Sequence, residues 1–296
     1  MSITSDSAVD DVIDFNEDTA LDLILATVKN TPNPRHKFLF ESLFRHLVAF
    51  IREVRPTVEE LHAGRDFLKH TGQMSTDARD EFALLDAVLG TDMLVDVISL
   101  QRPEGATVNS ALGPFFNPNA PPMPYLADLT GGVPGDRVVV YGQVKTLGGT
   151  PIAGADMDIW QTDEDGNYDV QVGTNINLRG KFVTDDQGRY GCIMVRACHY
   201  DVPMDGTGGK MLRTMGRTGG RPGHIHVMVK APGYDTLVTA IFPSGDPLMG
   251  TDAAFAVRTT LIASYRVATE ADAERFSLLL PFLTMPFDFV LAPQKA

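Results

Sequence analysis

The chain has 296 residues and a formal charge of −13 from 25 Lys and Arg against 38 Asp and Glu. That balance argues against nucleic acid and anionic membranes as partners, since both require a basic face. A hydrophobic fraction of 44% excludes a disordered or fibrous chain and suits one large core or two ordinary ones. The cysteines, Cys192 and Cys198, are too few for a disulfide-stapled scaffold and read as idle thiols. No apolar run approaches the ~18 residues of a membrane span, so no membrane insertion is expected. The segment Met1 to Glu17 is acidic and reads as neither signal nor transit peptide, which makes the cytoplasm the expected location.

Helices come first. From Asp18, the residues Leu21, Ile24, Leu25 and Val28 recur at three- and four-residue spacing and predict one amphipathic helix. Asn30-Thr31-Pro32-Asn33-Pro34 breaks it. Arg35 to Val54 is a second helix, with Phe38, Leu39, Leu43, Phe44, Leu47 and Ile51 in register. After Pro56, Thr57 and Glu60 have the spacing of a capping box and start a third. A further helix is expected from Ser75 or Thr76 to Leu89, and a last one from Asp92 to about Leu100.

After Arg102-Pro103-Glu104-Gly105 the period shortens. Arg137-Val138-Val139-Val140-Tyr141 and Met157-Asp158-Ile159-Trp160 are strand-like, and Gly148-Gly149, Gly154, Asp165-Gly166 and Gln187-Gly188 are turns. The expected fold class is α+β: an α-helical region over residues 1–103, then an antiparallel β-sandwich over residues 104–296.

Chemistry enters at Arg221-Pro222-Gly223-His224-Ile225-His226-Val227-Met228-Val229. As a strand, it puts Ile225, Val227 and Val229 on one face and His224 with His226 on the other. Such a pair is either a metal-binding couple or two polar residues facing solvent. Too few cysteines and the lack of a His-Glu-x-x-His helix exclude the usual zinc sites. Carboxylates are plentiful but lie mostly in turns, where Asp and Glu are expected anyway, and tyrosine is the less obvious candidate ligand. Its pKa of about 10 keeps it protonated in water, but a trivalent cation favours the hard, oxygen-based phenolate. Of seven tyrosines, Tyr168 follows the turn Asp163-Glu164-Asp165-Gly166-Asn167, and Tyr200 lies in Val195-Arg196-Ala197-Cys198-His199-Tyr200-Asp201-Val202-Pro203. Spacing alone does not select these two.

These segments occur together in the order of one family. Ile159-Trp160 through Gly166-Asn167-Tyr168, Asp185 through Gly188-Arg189-Tyr190, the Tyr200 loop, Gly216-Arg217, Arg221 to His226 and Ala231-Pro232-Gly233-Tyr234 make the chain resemble the intradiol ring-cleaving dioxygenases. The helical front end joins the resemblance through Leu89-Gly90 and Met93-Leu94-Val95. Gln161, Asp163 to Gly166, Asp169-Val170-Gln171, Leu112-Gly113-Pro114-Phe115-Phe116, Gly245-Asp246-Pro247 and Asp252-Ala253-Ala254-Phe255 are most similar to the hydroxyquinol branch. Two departures stand out. Leu85-Asp86-Ala87-Val88-Leu89-Gly90 replaces Leu-Ser-Asp-x-Leu-Gly, moving a carboxylate one position and so swinging it about 100° around the helix. Ala240 stands where catechol enzymes tend to have Gln.

The resemblance implies Fe(III) held by Tyr168, Tyr200, His224 and His226, with Trp160 packed beneath. It implies that Tyr200 leaves the metal and accepts a substrate proton, and that Arg221 stabilises negative charge on the ring. Pocket candidates carried over with it are Leu84, Asp86, Leu112, Gly113, Pro203 and Ala254. The implied reaction is cleavage of hydroxyquinol by O2 to maleylacetate, or of catechol or an alkylcatechol to a cis,cis-muconate. The implied assembly is a homodimer through the N-terminal helices, with phospholipid in the helical region. A reading of another class, a metal-free β-sandwich binding module, is separated by colour, because phenolate-to-iron(III) charge transfer makes a protein reddish.

Overall fold

Helix-period sequence does become helix in the first hundred residues, and the Thr57–Glu60 box written into it forms. In the computed structural model, which describes residues 13–76, 79–173 and 176–294, the helices are α1 (Ala20–Thr27), α2 (Pro34–Val54), α3 (Val58–Met74), α4 (Glu81–Leu89), α5 (Thr91–Ser99), α6 (Asp169–Val172), α7 (Thr207–Thr214) and α8 (Glu270–Phe276). The acidic segment Met1 to Glu17 lies for the most part outside the described residues. No helix among the described residues is long and apolar enough to cross a membrane.

The chain divides into two compact units, residues 1–68 and 69–296. In the first, Asn33 caps α2 by accepting from Arg35 N at 2.9 Å and His36 N at 3.0 Å, with Pro34 at the first helical position. Thr57 and Glu60 form the expected reciprocal box, Glu60 N donating to Thr57 Oγ1 at 3.2 Å and Thr57 N to Glu60 Oε2 at 2.8 Å. Phe38, Leu43, Leu47, Phe50 and Ile51 on α2 are exposed.

In the second unit α4 starts at Glu81, later than the spacing predicts. Asp80 supplies the cap, accepting from Ala83 N at 3.0 Å, and Arg79 is drawn off by Asp205 at 2.9 Å and Glu81 at 2.8 Å. The strands are β1 (Ala127–Asp128), β2 (Arg137–Thr146), β3 (Asp156–Trp160), β4 (Arg179–Val183), β5 (Arg189–Val195), β6 (Tyr200–Asp201), β7 (Gly220–Arg221), β8 (Ile225–Lys230), β9 (Leu237–Pro243), β10 (Ile262–Ala263), β11 (Arg266–Val267), β12 (Leu283–Pro286) and β13 (Phe289–Leu291). One sheet runs β1-β5-β2-β12-β11 with β13 also on β2; the other runs β10-β9-β8-β3-β4; β6 and β7 form a separate ribbon.

The central pairs β2–β5, β3–β4, β3–β8 and β8–β9 are antiparallel, as the short turns predict. Parallel pairs are added by β1, β10, β12 and β13, each far in sequence from the strand it pairs with. Val138, Val140, Val144, Cys192 and Met194 from one sheet meet Met157, Ile159, Ile225, Val227 and Val229 from the other in one buried core. Cys192 is within it, and Cys198 is also a free thiol.

Candidate active site

β8 lies between β3 and β9, and its pleat fixes what each side chain faces. With Ile225, Val227 and Val229 in the core, His226 and Met228 take the other face. Trp160 is the β3 partner of His226, and its indole stacks on that imidazole at 4.8 Å and 8°. Ala240 is the partner from β9.

Tyr168 is delivered by the turn after β3. Asp163 Oδ1 accepts from Asp165 N at 3.0 Å and Asn167 N at 2.9 Å, which curls the chain back toward the sheet. Immediately after Tyr168, the buried Asp169 receives Arg179 Nη2 at 2.7 Å and Nε at 3.1 and 3.2 Å. This ion pair fixes the backbone on which Tyr168 stands; losing either partner would leave an uncompensated buried charge, typically costing about 3–5 kcal/mol. Tyr200 comes from β6, directly across from Arg221 on β7. Gly166 lets the two tyrosine segments meet: its φ is +81° and a Cβ there would lie 2.6 Å from Tyr200 Cβ.

The donor atoms converge. Tyr168 Oη is 3.0 Å from His226 Nε2, 3.4 Å from His224 Nε2 and 3.4 Å from Tyr200 Oη, and the two Nε2 atoms are 3.1 Å apart. His224 Nδ1 lies 2.8 Å from the Pro222 carbonyl, so that nitrogen carries the proton and Nε2 presents its lone pair inward. His226 Nδ1 is buried, with the Ala111 backbone as its polar neighbour. Phe115 lies on Tyr168 at 4.6 Å and Phe116 on Trp160 at 5.4 Å, walling the cluster with aromatic surface.

Electrostatics keep the nitrogen donors of this cluster uncharged. Burial, with Arg221 adding to it, pushes His224 down to about 3, and burial with His224 and Arg221 pushes His226 well below its ordinary value. Both imidazoles are therefore neutral at neutral pH, the form in which a histidine can bind a metal. Burial, reinforced by Tyr200, pushes Tyr168 well above the ordinary phenol value. A buried phenolate there requires a compensating positive charge, and two oxygens with two neutral nitrogens are a donor set for a hard trivalent ion. Among the described residues no group of three or more His, Cys, Asp or Glu side chains could hold a metal; the set found here includes tyrosine.

The His224 shift gives a pH dependence. Its folded pKa lies below the unfolded value of 6.5, so the unfolded chain binds the extra proton. Stability of protein stripped of metal should be full above about pH 6.5 and fall toward pH 4 by up to ~1.4 kcal/mol per pH unit for this group. Thermal melts of chelator-treated protein between pH 7.5 and 4.5 check this, and a melting temperature that rises on acidification contradicts it.

The carried-over residues are distributed unevenly. Pro203 lines a cavity of about 220 Å³ with Tyr200, Phe115, Gly166, Asn167, Gln171, Asp165 and Asp201. Gly113 touches the His226 ring, since a Cβ there would lie 3.3 Å from Cε1. Leu84 packs with Val88, Val202, Leu212 and Ala253 rather than lining that cavity. Asp86 is exposed, and its carboxylate receives the Thr91 hydroxyl at 3.0 Å. Leu112 is exposed, and Ala254 is buried with its N–H on Asp252 at 3.1 Å. A larger recess of about 650 Å³, lined among others by Arg196, Cys198, His199, Asp246 and Tyr265, contains none of the four donors.

Arg221 is buried, with Nη1 3.3 Å from Tyr200 Oη and Nε 3.1 Å from Asp252 Oδ1. Asp252, Asp169 and Arg179 escape a reading of the sequence for site residues. Asp252 lies inside a segment that carries the family resemblance, yet no spacing ties it to Arg221.

Comparison with known proteins fits this geometry. Residues 112–293 match the family described as Dioxygenase, and residues 33–107 the one described as Catechol dioxygenase N terminus. A 6-chlorohydroxyquinol 1,2-dioxygenase of Cupriavidus pinatubonensis is 40% identical over 95% of this chain and 99% of its own. The crystal structure of hydroxyquinol 1,2-dioxygenase from Pseudomonas putida superposes with a TM-score of 0.90 at 35% identity, over 94% of this chain and 99% of that one. Catechol 1,2-dioxygenase from Acinetobacter radioresistens superposes with a TM-score of 0.82 at 28% identity, over 95% and 94%.

Proposed function

Because this chain belongs to the intradiol ring-cleaving dioxygenases, an enzyme family that uses non-haem iron, we propose that it holds Fe(III) through Tyr168, Tyr200, His224 and His226 and cleaves hydroxyquinol with O2 to maleylacetate. The observation that carries this reading is the meeting of two phenol oxygens and two imidazole nitrogens within 3.0–3.4 Å of one another. When bound, a ferric ion would supply the Lewis acidity that favours the deprotonated diol and makes its ring electron-rich toward dioxygen.

The protein's own groups do the rest. His224, His226 and Tyr168, all buried, form the rigid side of the donor set. Tyr200 is only half-buried and borders the 220 Å³ cavity, which supports its oxygen as the group that takes a substrate proton. Arg221, already 3.3 Å from that oxygen, offers a fixed positive charge as the ring becomes carbanionic. Phe115 and Pro203 limit water beside the reacting ring.

Similarity to hydroxyquinol enzymes supports the substrate. One observation favours a second reading, a catechol or alkylcatechol 1,2-dioxygenase: Asp86 accepts the Thr91 hydroxyl and does not line the 220 Å³ cavity, and Ala87 is apolar, so neither residue supplies a carboxylate there for a third ring hydroxyl. Comparing kcat/KM for O2 uptake on the two substrates decides. Hydroxyquinol should be favoured at least about tenfold, ~1.4 kcal/mol of discrimination; preference for catechol selects the second reading, and no uptake with either contradicts both. For the assembly, the exposed apolar face of α2 supports residues 1–103 as the linker and dimerisation domain, with phospholipid accommodated there and residues 104–296 as the catalytic domain. Light scattering at the monomer mass would contradict the dimer.

A further inference from the structure

The guanidinium of Arg221 has two partners, and only one of them is a candidate iron ligand. Its Nη1 donates to Tyr200 Oη at 3.3 Å and its Nε to Asp252 Oδ1 at 3.1 Å. The side chains of Arg221 and Asp252 are 7% and 3% exposed, so water does not substitute for the contact between them. Asp252 is itself immobilised. Its Oδ1 also accepts from Ala254 N at 3.1 Å and its Oδ2 from Ala256 N at 2.8 Å. The adjoining Ala253 N donates to the Gly220 carbonyl at 3.0 Å, tying this loop to the strand that carries Arg221. A guanidinium is planar, so fixing Nε also fixes the direction of Nη1.

We propose that Asp252 is a positioning residue for the reaction, clamping Arg221 so that one nitrogen stays on the Tyr200 oxygen and its charge stays over the substrate side of the cluster. The proposal rests on the roles given above to Arg221 and Tyr200. Burial alone would raise the Asp252 pKa; the charge of Arg221 and the two backbone N–H groups outweigh it and hold the carboxyl below its ordinary value. Asp252 is therefore an anion at every working pH, and the pair remains an ion pair. It is 31 positions from Arg221, and its hydrogen bonds go to Arg221, Ala254 N and Ala256 N rather than to the four donor atoms; its charge also reaches His224 through space, more weakly than that of Arg221, so its positioning effect passes through the guanidinium.

The test is a double-mutant cycle on iron-loaded enzyme with Asp252→Asn, Arg221→Ala and the combination. Asp252→Asn should retain native iron content, keep KM within about threefold and lower kcat by about 10- to 100-fold, the usual cost of losing an outer partner. Its visible absorption should shift, because Tyr200 loses an oriented hydrogen-bond donor. In the Arg221→Ala background the same change should alter kcat less than about twofold. An equal loss in both backgrounds assigns Asp252 a merely structural role and overturns the proposal, as does native kcat in the single variant. If Arg221→Ala alone retains native kcat, the role given to Arg221 has failed, and the proposal falls with its premise. Asp252→Glu, which keeps the charge and displaces it by one methylene, covers an Asn variant that does not fold. Lowered kcat with native iron content and a shifted spectrum supports positioning; native kcat and spectrum overturn it.

Discussion

Tyr168→Phe should remove both iron retention and turnover while leaving the fold in place. The ring of Tyr168 is 1% exposed and packs on Phe115 at 4.6 Å, contacts that phenylalanine keeps. What disappears is the oxygen 3.0 Å from His226 Nε2 and 3.4 Å from both His224 Nε2 and Tyr200 Oη. With it goes one of two anionic donors that a trivalent ion needs in a dry site. Because losing a partner outside the ligand set typically costs 10- to 100-fold in metal affinity, loss of a ligand should exceed about 100-fold. Iron analysis and the visible spectrum of the variant measure this, with its melting temperature as control. Native iron content and colour would remove Tyr168 from the ligand set.

Arg221→Lys should separate metal binding from chemistry. Lysine retains the charge, but a single ammonium on a flexible stem cannot hold both the Asp252 carboxylate and the Tyr200 oxygen in the geometry now set by Nε at 3.1 Å and Nη1 at 3.3 Å. A buried donor aimed at charge that develops in the transition state is worth about 10²–10³ in kcat. Turnover should therefore fall about 100-fold with iron content unchanged. Steady-state kinetics at saturating O2 read the effect, and native kcat would exclude Arg221 from catalysis.

The unequal visibility of fold and site in the sequence has a physical basis. The Thr57–Glu60 box, the strand at Met157–Trp160 and the inward face of Ile225, Val227 and Val229 are local, written in spacings of two to four residues, and all three occur. The α4 start was harder, because Asp80 competes with Ser75 and Thr76 as a cap and wins with Arg79 held by Asp205. Parallel pairing of β12 and β13 with β2 joins residues more than a hundred positions apart, which no periodicity encodes.

At the site, His224 and His226 were legible as a pair because a strand projects alternate side chains together. The tyrosines were not: Tyr168 and His224 are 56 positions apart, and only family resemblance selects them from seven. Asp252 and the Asp169–Arg179 pair remained hidden for the same reason, since their partners are brought close by loops and neighbouring strands. Asp86 shows the opposite case. Its helical position was readable, but the Thr91 hydroxyl that engages its carboxylate was not.

A ferric ion held by two phenolates and two imidazoles is tested most directly by iron analysis with a visible spectrum, taken before and after anaerobic addition of hydroxyquinol. The expected result is one iron per chain, a reddish protein, and a shift of the absorption band when the diol displaces the Tyr200 oxygen. A colourless protein that takes up no iron, or a band indifferent to the diol, would contradict it.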